Sequence, residues 1–519
     1  MRSSSTVSEL EASSSGSPVV DVPGRRRRRP RPPSSAVFTL SHLAPPARAL
    51  LRAVQAAAGR SRSPVLVGGA VRDARLGSTR RAGPADLDVA VEWGALEVAG
   101  RVAERLGGAF VPLDPERGAA RVLARGMALD VTDWRAPTLA DDLAARDFTV
   151  NALAVPVREL LGRGRAAIVD PTGGLADLRA RRLRAPDRRV LADDPLRTLR
   201  GVRLEAALGL RLTPETAQAI RLAAPTLAGV AAERVRDELL ALLALPHTAR
   251  ALRRLDGLGL LRVIVPEVEP MRGSTQPAPH RFPVLEHSLR AVAGADTVLE
   301  RLRALVPFGD ELAAHMAEEL GGGVRRAQIF KLAALLHDVS KPETRRLIDG
   351  RIRFFEHDVI GAARARAIAE RLRLPARART VLEKLVRHHL RTGHLAAAGR
   401  VTPRARYRFF RDLGEDTRDL LLLNLVDAAA VTGVSPLAIW RRASLVRDLL
   451  RGWEETSRAG ADAAPLVRGQ DVMARFGLAP GPEVGRLLER AREAQSLGLV
   501  RTREEALAYL DSPARETLE

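Results

Sequence analysis

No cysteine occurs in the 519 residues, which excludes disulfides and thiolate-held metal. Any metal must therefore be held by His, Asp or Glu. Lysine is nearly absent: Lys331, Lys341 and Lys384 are the only three, and every other cationic side chain is arginine. Aromatics contribute only 3% of the chain. No window approaches the roughly 18 consecutive apolar residues of a membrane span, so no membrane partner is expected. Residues 1–36 lack the apolar core of a signal peptide, and a cytoplasmic protein is expected.

What is present reads as a globular chain of several domains, with 46% hydrophobic and 28% charged residues. The formal net charge is +21 and the pI about 11.4. Residues 1–36 carry +4 of this, from seven arginines and three acids, which leaves +17 on the body. Such a field attracts a polyanion. Coding bias toward GC explains arginine over lysine, but not the positive excess.

Residues 1–36 are rich in Ser, Pro and Arg, include the run Arg25–Arg29, and read as a disordered tail. Over 37–190, helix and strand signals alternate: helix 46–58, strand 65–67, a short helix from Arg72, strand 87–91, helix 95–106, then strands near 110–113, 121–124 and 128–131. This predicts a small mixed sheet with helices on it. Helical periodicity dominates afterwards, broken by the Pro-rich loop 273–283 and by Gly321–Gly323. The expected fold class is α+β, a small mixed-sheet head followed by an all-α neck and body.

The chemistry concentrates first in Val67-Gly-Gly-Ala-Val-Arg-Asp73 and Asp86-Leu-Asp88. Gly68 and Gly69 lack Cβ atoms, so a turn there can bring backbone N–H groups to a polyphosphate. With strand period two, Asp86 and Asp88 share one face while Leu87 and Val89 enter the core. Two such carboxylates repel unless a divalent cation lies between them. They would hold two Mg²⁺ ions roughly 3.5–4 Å apart for phosphoryl transfer from a nucleotide. Arg72 can pair with triphosphate oxygens, with Asp73 orienting it. Asp130, on the strand 128–131, is a candidate third carboxylate.

These motifs, followed by Arg146-Asp-Phe-Thr-Val-Asn-Ala-Leu153, Asp170-Pro-Thr-Gly-Gly-Leu-Ala-Asp-Leu178 and Asp193-Asp-Pro-Leu-Arg-Thr-Leu-Arg200, resemble bacterial class II tRNA nucleotidyltransferases and their poly(A) polymerase relatives. The resemblance implies that Arg146 and Asp147 contact the nucleotide ribose and phosphates, with Asn151 in support. It implies that Asp194 and Arg197 present hydrogen-bonding edges to the incoming base, and that Arg200 reaches the phosphates. Asp194 and Arg197 lie three apart, as one helix face requires. Without the resemblance, the same stretch reads as a helix start with proline in its first turn. Many relatives have Glu where Asp193 stands. The segment Arg135–Leu143 is short beside the longer one of many full CCA-adding relatives. A short segment resembles relatives that add only the two cytidines, so terminal A-addition is expected to be weak or absent.

A second constellation draws on ten histidines. His287, His337-Asp338, His357, His388 and Asp427 fall on expected helices and resemble an HD-type phosphohydrolase domain. His389 is an alternative to His388 that the sequence does not separate. Imidazole with carboxylate suits Mn, Fe, Ni or Zn, and Lys341 follows closely enough to stabilise phosphate. Phosphomonoesterase or 2′,3′-cyclic phosphodiesterase action on RNA ends is the implied chemistry. The stretch 466–485 is similar to the C-terminal signature of the HD-bearing branch, and Arg486 and Arg490 beyond it are candidate tRNA contacts.

The expected organisation is a tail (1–36), a nucleotidyltransferase head (37–190), a helical neck for base selection and RNA binding (191–275), an HD-type metal-binding body (276–450) and a helical tRNA-binding end (451–519). The expected partners are tRNA, CTP and ATP. The rival readings are a poly(A) polymerase with the same head, an RNA-binding protein with a dead head, and a hydrolase whose head senses nucleotides.

Overall fold

Strands rich in Val, Leu and Ala build the head: β1 (Val37–Thr39), β2 (Val65–Val67), β3 (Asp86–Val91), β4 (Ala109–Asp114), β5 (Ala119–Ala124), β6 (Met127–Asp133), β7 (Ala154–Pro156) and β8 (Arg165–Ala167). Six of them form one sheet in the order β4-β5-β6-β3-β2-β7, while β1 and β8 pair apart. Only β3 and β6 run parallel; the other neighbours in the sheet are antiparallel. The computed structural model of the chain describes residues 36–77, 86–460 and 464–512. Of the expected tail, all but Ala36 lies outside the described residues.

Alternation along β3 sends Leu87, Val89 and Val91 fully into the core, where Leu129, Val131 and Val122 join them from the neighbouring strands. Helix Pro45–Ala58 adds Leu50, Leu51 and Val54, and helix Ala95–Leu106 adds Val98 and Val102. Each such side chain contributes about 1.5–3 kcal/mol on burial. The apolar face of β3 therefore fixes the opposite face, with Asp86 and Asp88, toward the cavity.

The body is helical. Helix Leu196–Leu208 packs on helices Ala232–Leu243 and Thr248–Gly257. Beyond it, helices Val284–Glu300, Arg326–Leu336, His357–Arg371, Ala376–His388 and Thr417–Thr432 enclose a continuous apolar core. Helix Arg326–Leu336 is buried on every side, so its polar residues must find partners. Arg326 does so at Glu318, Asp416 and Asp419. Lys331 donates to the Leu245 carbonyl at 2.6 Å and Gln328 to that of Leu240 at 2.8 Å, tying neck to body. One hydrophobic cluster runs from Phe38 to Trp453, and a separate one joins Val467 to Leu510.

Three local expectations are corrected. The short helix after the glycines begins at Gly69, not Arg72, because Gly68 caps it and places Gly69 in its first turn. A hairpin, Arg345–Ile348 with Arg351–Phe354, interrupts the expected all-α body. Its turn is Asp349-Gly350, both at positive φ (48° and 72°), the pattern of a tight two-residue hairpin. The sequence also reads as a helix entering Arg146 after the short segment Arg135–Leu143; helix Leu139–Ala144 instead ends before Arg146, and a single 3₁₀ turn, Thr149–Asn151, follows.

Candidate active sites

A cavity of about 740 Å³ opens between the head sheet and helix Leu196–Leu208. All twelve residues expected to handle nucleotide line it: Gly68, Gly69, Arg72, Asp86, Asp88, Asp130, Arg146, Asp147, Asn151, Asp194, Arg197 and Arg200. Asp88 and Asp130 are register partners across the parallel pair β3–β6, so their carboxylates project side by side. Arg121 from β5 holds Asp130 in a bidentate pair, at 2.7 and 2.9 Å. Burial, followed by the charges of Asp130 and Asp86, raises the Asp88 pKa; Arg146 and the Gly69 N–H oppose the rise. Asp130 is compensated by Arg121, and the charge crowded onto Asp88 is what a divalent cation at Asp86 and Asp88 would relieve.

Gly68 completes this arrangement sterically. Its φ is +71°, and a Cβ there would meet Asp88 Oδ2 at 2.7 Å. Only glycine permits both the turn and the carboxylate behind it. Arg72 is aimed by two acceptors, Asp73 Oδ1 at 2.7 Å and Asn151 Oδ1 at 2.6 Å. Asn151 in turn donates to Asp147 Oδ1 at 3.0 Å, and Arg200 lies 3.5 Å from Asp147 Oδ2. Asp147 thus acts first as a junction that orients its neighbours.

On the facing helix, Arg197 Nη1 donates to the Ala145 and Val190 carbonyls at 3.0 and 3.1 Å. The fork is held by backbone on one side, and its Nε lies 4.0 Å from Asp194. Three arginines not singled out in the sequence also line the cavity: Arg135, Arg203 and Arg234. Arg234 pairs with Asp194 at 3.0 Å, while Glu238 holds Arg200 and Arg203 at 2.8 and 2.6 Å. Arg203 was visible as the next turn after Arg200. Arg234 comes from a separate helix, and no local signal marks it.

The link Arg135–Leu143 is short and fastened. Asp142, almost fully buried, accepts the Arg135 N–H at 3.0 Å and holds Arg146 Nη2 at 3.1 Å. Thr138 caps helix Leu139–Ala144.

The second set also converges, with one exchange. His287, His337 and Asp427 bring ligand atoms into one group, and Asp338, His357 and His389 into another. His389 faces the cluster, whereas His388 is turned from it toward Arg391. Burial first and then Arg391 lower its pKa to about 4. The helix ends at His388, and a step of one residue swings the side chain by about 100°. His337, His357 and His389 each place Nδ1 against the carbonyl three residues back, Ala334 (3.0 Å), Phe354 (2.8 Å) and Val386 (2.7 Å). A carbonyl only accepts, so Nδ1 carries the proton and Nε2 offers its lone pair inward.

Those inward atoms are short of partners. Nε2 of His357 and of His389 has no hydrogen bond, and neither Asp338 oxygen accepts one of good geometry. The Lys341 ammonium lies 2.7 Å from Asp338 Oδ2. Buried acceptors without donors fit a cation. Burial works against the charged forms, but histidines and Lys341 hold Asp338 well below the usual carboxylate range, and His287 and His337 bring Asp427 to about 2. Burial also opposes protonation of His337, but Asp338 and Asp427 outweigh it and raise its pKa.

In the C-terminal cluster, Arg490 donates to the Tyr509 and Ser512 carbonyls at 3.3 and 2.6 Å, and Arg486 pairs with Glu483. Arg486 is thus engaged within its own helix, and Arg490 at the end of helix Arg503–Asp511.

The family description "Poly A polymerase head domain" matches residues 65–184, "Probable RNA and SrmB-binding site of polymerase A" matches 209–272, and "HD domain" matches 310–430. The chain is 39% identical to the A-adding tRNA nucleotidyltransferase of Deinococcus radiodurans, over 87% of this chain and 96% of that protein. It is also 39% identical to the CC-adding tRNA nucleotidyltransferase of Thermus thermophilus, over 86% and 92%. Among solved structures, a CCA-adding enzyme in complex with ATP superposes with a TM-score of 0.60 at 19% identity, covering 91% of this chain and 98% of that one. No single helix among the described residues is long and apolar enough to cross a membrane.

Proposed function

The chain belongs to the tRNA nucleotidyltransferase family, and from that premise we propose that it adds cytidine from CTP to the 3′ end of tRNA and stops before the terminal adenosine. One observation carries the reading: the glycine turn, three carboxylates and the Asp194/Arg197 pair all line a single cavity. Magnesium held by Asp86 and Asp88 would activate the attacking 3′-hydroxyl and neutralise charge on the leaving pyrophosphate. The pre-aimed Arg72 grips phosphate oxygens beside the glycine turn, whose Gly69 N–H holds the Asp88 carboxylate. Arg121 fixes the Asp130 carboxylate in place beside them. Asp194 and Arg197 offer an acceptor and a donor fork to the Watson–Crick edge of the base. Arg200 and Arg203, drawn in by Glu238, meet the phosphates.

The fastened link supports the restriction to cytidine. With Asp142 holding both Arg135 and Arg146, the segment beside the base-reading helix has little freedom to reshape the pocket for a second nucleotide. The similarity to an A-adding relative favours a second reading, in which the one nucleotide is A. Incubating tRNA without its 3′ end, and tRNA ending in CC, with CTP and ATP and sequencing the products separates them. CC ends are expected. CCA ends overturn the restriction, and a lone A added to the CC substrate selects the second reading. ATP-only extension of generic RNA makes the protein a poly(A) polymerase.

The buried His/Asp cluster is a metal-dependent phosphohydrolase site acting on phosphorylated RNA ends, as phosphomonoesterase or 2′,3′-cyclic phosphodiesterase. Manganese, iron, nickel or zinc suits its nitrogen and oxygen donors, and would supply Lewis acidity toward the phosphoryl group. The groups His287/His337/Asp427 and Asp338/His357/His389 would hold it, and Lys341 stands beside Asp338 to meet phosphate charge. Unchanged cyclic-phosphate cleavage in His337→Ala would remove this reading. The division of labour follows: head 37–190, neck 191–275, body 276–450 and a tRNA-holding end 451–519.

A further inference from the structure

The hairpin Arg345–Phe354 lies between two residues of the buried cluster, Lys341 before it and His357 after it. Its root is fastened there. The Phe354 carbonyl accepts the His357 Nδ1–H at 2.8 Å, and the Lys341 ammonium sits 5.5 Å over the Phe354 ring. Beyond the root the hairpin is exposed. Arg345, Arg346, Arg351 and Arg353 all face solvent. The one hydrogen bond made by any of these four side chains, among the described residues, runs from Arg346 Nη1 to the Arg345 carbonyl at 3.1 Å.

Most arginines on the two helices that follow behave otherwise. On the adjoining helices, Arg364, Arg366, Arg371, Arg377 and Arg379 each reach a carboxylate. On the hairpin, Arg346 and Arg353 are register partners, a like-charge pairing that costs stability. Period two adds Arg351 to the same face. A two-stranded ribbon is marginal alone, so three cations on one side are a liability unless something anionic meets them. Leu347 and Phe355 are also exposed, at 68% and 57%, and the Phe355 ring offers a surface on which a base can stack.

We propose that this hairpin is an RNA-binding arm of the His/Asp site: Arg346, Arg351 and Arg353 hold the backbone of a single-stranded 3′ end, and the root delivers its terminal phosphate to the cluster. The proposal rests on the phosphohydrolase reading and names the substrate class of that site as oligonucleotide ends rather than small phosphoesters. RNA is favoured over a lipid surface because the arm is rooted on residues that face phosphate chemistry.

The test compares the wild-type chain with Arg346→Gln/Arg351→Gln/Arg353→Gln. Binding of a short RNA carrying a 2′,3′-cyclic phosphate is followed by anisotropy across salt concentrations, and turnover of that RNA and of p-nitrophenyl phosphate is measured. The slope of log affinity against log salt should fall by about 2, and KM for the RNA should rise by roughly tenfold. Turnover of p-nitrophenyl phosphate and CTP addition to tRNA should stay unchanged. An unchanged slope overturns the proposal, as does an equal loss on the small ester. Lost binding to phosphatidylglycerol vesicles with RNA binding intact also overturns it. If the wild type hydrolyses neither ester while the slope still falls, the phosphohydrolase reading fails and the arm remains an RNA contact.

Discussion

The head cavity and the buried cluster both gather acids, and they handle them in opposite ways. In the head, Asp86, Asp88 and Asp130 line an open cavity, and burial first, then repulsion from the other two, raises the Asp88 pKa. In the body, Asp338 and Asp427 sit among imidazoles, and those partners drive their pKa values down. An oxygen-only set in contact with solvent suits a hard ion that arrives with its nucleotide. A mixed nitrogen and oxygen set, pinned by backbone carbonyls, suits an ion retained through purification. The comparison teaches that carboxylate count alone says little about a metal site. The company each carboxylate keeps decides it.

The comparison breaks most sharply through the acids of the head. Asp86→Ala should reduce single-turnover CTP incorporation by about 10³-fold or more, with the transition-metal content of the purified protein unchanged. A parallel loss of that metal would mean that the two sites are not independent. Next in size, Arg197→Ala should lower CTP addition by about 10–100-fold and narrow the preference for C over U, measured with each triphosphate alone. His337→Ala should strip the retained metal, read by elemental analysis, and leave CTP addition within about twofold.

Asp88→Asn tests the electrostatic half of the contrast. The folded pKa of Asp88 is raised, so its charge penalises the native state above that pKa, and the penalty disappears below the unfolded value of about 3.9. The variant should therefore melt about 1–3 °C higher at pH 7 without magnesium. The gain should shrink as the pH falls toward 4, and a variant that melts lower at pH 7 contradicts the assignment. The smallest effect is expected from His388→Gln, which should keep its metal while His389→Gln loses it.

Much of the head was legible because its signals are local. Period two in Asp86-Leu-Asp88 and paired glycines before a helix constrain direction over a few residues. Asp194, by contrast, is extended ahead of helix Leu196–Leu208 and does not share a helix face with Arg197 as its spacing implied. The hairpin at Arg345 was overlooked although Asp349-Gly350 marks it, since the flanking residues are short and mostly exposed and lend no burial pattern. His388 and His389 were inseparable because the helix terminates between them, where periodicity stops informing direction. Arg234 reaches the cavity, and Glu238 the arginines that line it, only through the packing of helix Ala232–Leu243, and no spacing rule spans that distance in sequence.

The histidine anchors have a consequence for how the body reports on itself. His337 and His389 sit at the ends of two helices, and each ring borrows a carbonyl from its own last turn. Helix termini are where unravelling starts. Ions held by the two groups would therefore act as clasps on the two fraying points, and their release rates would register the first loosening of the body long before any helix signal faded.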